Sequence, residues 1–245
     1  MPPRYHGSPL LYAHRGVHHH EPENTLGAFA AAIELGADGV ELDVRRCRSG
    51  EVVVFHDPDL LRMAQDPGER GRIVADSDYN QLRDVQLAGA QRIPLLDEVL
   101  DLLLDAGLRI NVEVKSDLPD RQDLIAATAR VLGGRAAAER QQLLVSCFSR
   151  SMLEALAATL PDITMAWLVA KPPYAPPAAA GALHPGVRAL DVTALQAVRA
   201  AGLAVNVWTV NDPERALELA ALGVDGLITD ELAALQRALQ MRSTS

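Results

Sequence analysis

Three short apolar runs in this chain end in ionisable residues. Leu10–Ala13 leads into His14-Arg15-Gly16, Gly39–Asp43 closes on Glu41-Leu42-Asp43, and Arg109–Val114 leads through Glu113-Val114 into Lys115. Strand alternation puts Glu41 with Asp43 on one face and Glu113 with Lys115 on one face, while Val40, Leu42, Val112 and Val114 point the other way. Three carboxylates facing one another repel unless a proton or a cation neutralises them. An all-oxygen set suits a hard divalent cation, Mg²⁺ or Ca²⁺, better than zinc, since only His14 and His56 are near and no cysteine joins them. A purely structural alternative pairs the same acids with Arg15, Lys115 or a helix N-terminus.

A fourth run, Val52–Phe55, precedes His56-Asp57. Only Val44 to Glu51 separates it from Asp43, too few residues for a parallel crossover, so the pair reads as a hairpin. A two-residue turn at Ser49-Gly50 sets His56 directly opposite Asp43 and so on the same face. Two histidines beside a cation, with Arg15 and Lys115, form a set suited to a phosphate ester. The cations hold the anionic diester, one imidazole takes a proton, and one imidazolium protonates the leaving alkoxide.

The supporting elements read as an alternation of strands and helices. Further strands are expected at Leu143–Phe148, Thr164–Val169, Val187–Val192, Ala204–Thr209 and Gly226–Ile228. Helices are expected at Thr25–Leu35, Leu96–Leu104, Asp123–Leu132, Arg150–Leu160, Thr193–Ala201 and Pro213–Leu222. Setting the hairpin strand aside leaves eight strands, the number of a single (β/α)₈ TIM barrel, whose usual length of about 250 residues fits the 245 here. Barrel enzymes place their chemistry where strands end, which is where these ionisable groups stand. Residues 58–92 read as a small insertion and Lys171–Pro185, with its run of prolines, as a loop. Two α-to-β turns echo each other: Leu35-Gly-Ala-Asp-Gly-Val-Glu-Leu-Asp43 and Leu222-Gly-Val-Asp-Gly-Leu-Ile-Thr-Asp230.

Asn24-Thr25 before Leu26 forms a helix N-cap, from which Asn24 also reaches toward the metal or phosphate. Trp208, at a strand end, is either core or a wall of the substrate pocket, and His18-His19-His20 reads as a solvated tract. The 32 acidic against 23 basic side chains, net −9, would repel a nucleic-acid backbone. No apolar run approaches the ~18 residues of a membrane span, so no integral membrane association is expected. Met1–Pro9 lacks the apolar stretch of a secretory leader, and the two isolated cysteines, Cys47 and Cys147, suggest buried thiols. A cytoplasmic protein is expected.

These segments, taken together and in order, resemble the glycerophosphodiester phosphodiesterase family. They are Ala13-His14-Arg15-Gly16, Pro22-Glu23-Asn24-Thr25, Val40-Glu41-Leu42-Asp43-Val44, Val54-Phe55-His56-Asp57-Pro58, Ile93-Pro94-Leu95-Leu96-Asp97-Glu98, Val112-Glu113-Val114-Lys115 and Val207-Trp208-Thr209-Val210-Asn211. The resemblance implies a TIM barrel with a short insertion after Pro58. It implies that Glu41, Asp43 and Glu113 bind a divalent cation, that His14 and His56 are the acid/base pair, and that Arg15 and Lys115 hold the phosphate. The implied reaction converts a small-molecule glycerophosphodiester, such as glycerophosphocholine, to an alcohol and sn-glycerol 3-phosphate. Asp59-Leu60-Leu61-Arg62-Met63 departs from the Asp-Arg-Thr-Thr often found there, and Val114 from a more usual isoleucine. Competing readings are a lysophospholipase D, with Tyr174 in an apolar surface near the mouth, a Schiff-base lyase on Lys115, and a non-catalytic metal- or metabolite-binding barrel.

Overall fold

A computed structural model describes residues 8–117 and 121–243. The stretch expected to lack a leader falls, up to Gly7, outside the described residues. The chain runs β1 (Leu10–His14), α1 (Leu26–Glu34), β2 (Gly39–Arg46), β3 (Val52–Val54), α2 (Tyr79–Leu82), α3 (Leu96–Asp105) and β4 (Arg109–Val114). It continues through α4 (Arg121–Gly133), α5 (Ala137–Arg140), β5 (Leu143–Cys147), α6 (Arg150–Thr159), β6 (Thr164–Val169) and β7 (Ala182–Pro185). It ends with α7 (Val192–Ala200), β8 (Ala204–Val207), α8 (Pro213–Ala221), β9 (Gly226–Thr229) and α9 (Leu232–Ser243). β1 pairs in parallel with both β2 and β9, and β9 through β4 pair in parallel down to β2, so eight parallel strands close into a (β/α)₈ barrel. β3 adds to β2 antiparallel, outside the ring.

The strands' outward faces and the inner faces of the helices make one core, in which Val40, Leu42, Val112 and Val114 are buried, as the alternation predicts. Residues of the insertion make a second, smaller core with the hairpin: Cys47, Val53, Phe55, Leu60, Val74, Leu82, Val85, Leu87 and Ile93. The insertion is therefore a packed cap over the hairpin, although it is built mainly from turns.

Three details differ from the sequence reading. The hairpin pairs Val44 with Val54 and Arg46 with Val52, one position away from the expected register. The cause is the turn: Cys47 N–H donates to Glu51 O, so three residues separate the paired positions, with Gly50 in the left-handed region (φ 107°). The seventh barrel strand is Ala182–Pro185, inside the segment read as a loop, and Val187–Ala189 is a 3₁₀ turn. A four-residue strand carrying a histidine and a proline has no periodicity to detect, whereas the apolar residues after it belong to the approach to α7, capped by Asp191. Thr25 alone caps α1, its hydroxyl accepting from Ala28 N–H, which releases Asn24 for another partner.

The paired α-to-β turns act alike. Gly36 (φ 68°) and Gly223 (φ 74°) close their helices, and the aspartates after them accept a backbone N–H at the start of a neighbouring strand. Asp38 takes Leu11 N–H and Asp225 takes Val205 N–H, each at 2.8 Å.

Gly16 follows His14 and Arg15 with φ 82°, and a Cβ there would stand 2.7 Å from the Ala28 backbone in α1. Gly16→Ala therefore has to push the β1–α1 turn off the helix. The expected cost is about 2–3 kcal/mol, a fall in Tm of roughly 5–10 °C. Calorimetric melting checks this, and an unchanged Tm would show that the turn has room to move.

Candidate active site

Parallel pairing aligns His14 with Glu41 and Asp43 with Glu113, so the ends of β1, β2 and β4 bring these groups to one rim of the barrel. One carboxylate oxygen from each of Glu41, Asp43 and Glu113 lies within 4.8 Å of the others. Asp43 is fully buried, Glu41 3% and Glu113 9% exposed, which withholds water from charges that repel. Lys115 Nζ stands 2.6 Å from both Asp43 Oδ1 and Glu113 Oε1. Arg15 Nε is 3.2 Å from Asp43 Oδ2, and Arg15 Nη1 donates to Glu23 at 2.8 Å. Asn24, itself buried, donates to Asp43 Oδ2 at 2.8 Å and accepts from Asp43 N–H at 3.2 Å.

The three acids do not titrate alike. Burial pushes Glu41 well above the ordinary carboxylate range, and repulsion from Asp43 and Glu113 adds to it. Burial and then Asp43 raise Glu113, although less, because Lys115 opposes them. Asp43 goes the other way: burial opposes its charge, but Lys115 and then Arg15 hold it well below the usual range. Two cations thus compensate the three acids incompletely, and the charged form of Glu41 is the one most disfavoured. A hard divalent cation fits this set, since every donor is a carboxylate oxygen and, among the described residues, no lysine or arginine forms an ion pair with Glu41. The structural alternative describes the same residues without that cation.

The two histidines are anchored alike. His14 Nδ1–H donates to Asp230 Oδ1 at 2.7 Å and its Nε2 lies 3.9 Å from Glu41 Oε2. His56 Nδ1–H donates to Asp57 Oδ1 at 2.6 Å. His56 lies just beyond β3 rather than in ladder register, yet it remains in the field of Asp43, Lys115 and Arg15, and burial lowers its pKa. Each bond fixes a tautomer and leaves Nε2 for chemistry.

Several partners were not foreseen. Asp230 directly follows β9 and is held by Asn211, whose side-chain amide donates to Oδ2 at 2.7 Å and whose side-chain oxygen accepts from Asp230 N–H at 2.9 Å. Its signal was present in the echo that aligns Asp230 with Asp43. Arg62, from the insertion, donates to Glu23 at 2.6 and 2.8 Å and to Asp57 at 2.8 Å, tying His56 to Arg15 through two acids. No local spacing could show this bridge. His18 is not in a solvated tract: its Nε2–H donates to Asp230 Oδ1 at 3.1 Å, while His19 stands 3.5 Å from Glu231. Trp208 donates through Nε1 to His184 O and meets Phe148 edge-on at 5.6 Å, and Phe148 is 42% exposed. Tyr174 packs against the barrel core, with its hydroxyl accepting from Asp191 N–H. Burial opposes the charge of Lys115, but Asp43 and Glu113 outweigh it and raise its pKa, which disfavours the free amine that a Schiff-base nucleophile needs.

A TIM barrel with an oxygen-only acid cluster, two anchored imidazoles and two cations at one rim has the equipment of a phosphoric diester hydrolase. Residues 14–234 match the model of the glycerophosphoryl diester phosphodiesterase family, and the chain belongs to that family. It is 31% identical to a glycerophosphodiester phosphodiesterase of Bacillus altitudinis, over 90% of this chain and 94% of that protein. It is 29% identical to one from Caldanaerobacter subterraneus subsp. tengcongensis, over 91% and 94%. A phosphodiesterase structure from Oleispira antarctica, in complex with the product sn-glycerol-3-phosphate, superposes with a TM-score of 0.85 at 27% identity, covering 95% of this chain and 97% of that one. Among the described residues no helix is long and apolar enough to cross a membrane.

Because burial and repulsion disfavour the charged Glu41 that a bound cation needs, Mg²⁺ affinity is expected to rise with pH through the raised Glu41 titration and then level. Titration calorimetry in buffers of different ionisation enthalpy should show proton release on Mg²⁺ binding at the low-pH side of that range. Binding independent of pH would place the ion elsewhere.

Proposed function

We propose that the protein hydrolyses small glycerophosphodiesters to an alcohol and sn-glycerol 3-phosphate. In this reading Glu41, Asp43 and Glu113 hold a divalent cation, Mg²⁺ or Ca²⁺, and His14 and His56 are the acid/base pair. The observation that carries it is the meeting, at one barrel rim, of the carboxylate trio with the two Nδ1-anchored imidazoles. When bound, such an ion supplies charge neutralisation and polarisation of the phosphoryl oxygens. With the acids' charge met in that way, Lys115 and Arg15 have positive charge to offer the phosphate. Asn24 keeps Asp43 in place through both of its amide atoms.

One imidazole takes a proton at Nε2 from the attacking hydroxyl, and the other gives one to the leaving alkoxide. Asp230 and Asp57 hold the rings so that the change occurs at Nε2. Trp208 and Phe148 form an apolar wall at the mouth. We take the whole chain as one phosphodiesterase domain. We place it in the cytoplasm, where the two buried free thiols fit a reducing compartment.

Glycerophosphocholine hydrolysis, followed by release of sn-glycerol 3-phosphate, is expected to require Mg²⁺ or Ca²⁺ and to stop with chelator. His14→Ala and His56→Ala should each lower kcat by about 10²–10⁴-fold. Activity that survives chelation, or either substitution, removes that group from the mechanism.

The lysophospholipase D reading draws on one observation, the exposed Phe148 beside Trp208, which gives an acyl chain an apolar landing. If glycerophosphodiesters are the substrates, lysophosphatidylcholine is turned over at least ~10-fold more slowly than glycerophosphocholine, and Phe148→Ala changes KM more than kcat. The reverse order of substrates would favour the lysolipid reading.

A further inference from the structure

The carboxylate trio is not the only group at the mouth with metal-ligand geometry. His14, His18 and Asp230 also place one ligand atom each within 4.8 Å of the others. The β1–α1 turn builds this cluster. Arg15 (φ 59°) and Gly16 (φ 82°) turn the chain back so that His18, four residues after His14, reaches the same aspartate at the end of β9. His14 Nδ1 is 2.7 Å and His18 Nε2 3.1 Å from Asp230 Oδ1. Four ligands at about 2.05 Å around a tetrahedral ion stand about 3.3 Å apart, so the two Asp230 contacts need to open by about 0.2–0.6 Å to admit one, with the third pair of atoms within 4.8 Å. The side chains are 18%, 27% and 26% exposed, open enough for an ion to enter.

The geometry points to a second cation site at His14, His18 and Asp230, which takes a borderline transition-metal ion of the zinc class and, when filled, inhibits the enzyme. Two imidazole nitrogens and one carboxylate oxygen favour Zn²⁺ over Mg²⁺ or Ca²⁺, opposite to the preference of the all-oxygen trio. The inhibition follows from the ring chemistry and rests on the role proposed for His14 above. Coordination takes the Nδ1 lone pair, so the proton now shared with Asp230 leaves Nδ1, Nε2 takes up one proton from solvent in exchange, and the ring stays neutral with its single proton on Nε2. In that form Nε2 cannot accept a proton, and the ring is not an imidazolium that could give one. His18 touches none of the trio's ligands and has no part in the proposed reaction, so it separates the two sites experimentally.

The test uses the wild type and His18→Ala with saturating Mg²⁺, titrated with Zn²⁺. Each protein's rate is referred to its own rate without Zn²⁺, because His18 shares Asp230 Oδ1 with His14. The half-inhibiting Zn²⁺ concentration should rise at least ~10-fold in His18→Ala, in line with the loss of a group that shapes a metal site. Calorimetric Zn²⁺ titration under the same Mg²⁺ should show one site per chain in the wild type that His18→Ala loses, with His18→Gln as a second variant. Equal Zn²⁺ binding and equal inhibition in all three would overturn the proposal and assign the Zn²⁺ effect to displacement of Mg²⁺ from the trio. If the wild type hydrolyses no diester, the proposed function fails, while the calorimetric comparison still decides the site.

Discussion

Three buried carboxylates within 4.8 Å of one another are the constraint around which the mouth of this barrel is arranged. Like charges in a site shielded from water are costly, and the surrounding residues respond to that cost. Lys115 takes position between Asp43 and Glu113, Arg15 leans on Asp43, and Asn24 clasps Asp43 by side chain and backbone. To do so, Arg15 and Asn24 both adopt left-handed backbone (φ 59°), a conformation worth about 1–2 kcal/mol of strain per residue. Backbone bonds hold them there: Arg15 N–H donates to Glu41 O and Asn24 N–H to Arg15 O. Strain kept in this way, next to acids kept in this way, marks the rim as a place where stability yields to chemistry.

Around that cluster stands a second set of acids with a different task. Asp230 and Asp57 do not face the trio; each holds Nδ1 of one histidine, and each is held in turn, by Asn211 and by Arg62. A guanidinium that must bridge Glu23 and Asp57 needs a firm base, and the packing of Leu60, Val74, Leu82 and Ile93 supplies one. The hairpin, the insertion and the first barrel turn are thereby one mechanical unit around His56 and Arg15.

Below the rim the barrel remains polar in places. His184, fully buried in β7, is held neutral by burial, its pKa pushed down to about 3, and its Nε2 accepts from Asn206 at 3.0 Å. Its carbonyl takes the Trp208 indole, which stands edge-on to Phe148. The strand hardest to see in the chain therefore helps to position Trp208 against Phe148.

What the sequence by itself determined was local. Period-2 alternation placed Glu41, Asp43, Glu113 and Lys115 inward, the count of apolar runs implied eight strands, and the ends of those runs marked the rim. Each of these depends on neighbours along the chain, which a linear reading can see. The one-residue shift in the hairpin came from its three-residue turn, whereas the position of β7, the partners of Asp230 and Arg62 and the destination of His18 were decided by tertiary structure. Asp230 meets His14 across 216 residues and Arg62 meets Glu23 across 39, and each pairing exists only because the barrel closes β9 onto β1 or the insertion packs back over the hairpin. Chain spacing carries no information about such contacts, because closure of the sheet, and not local propensity, brings the partners together.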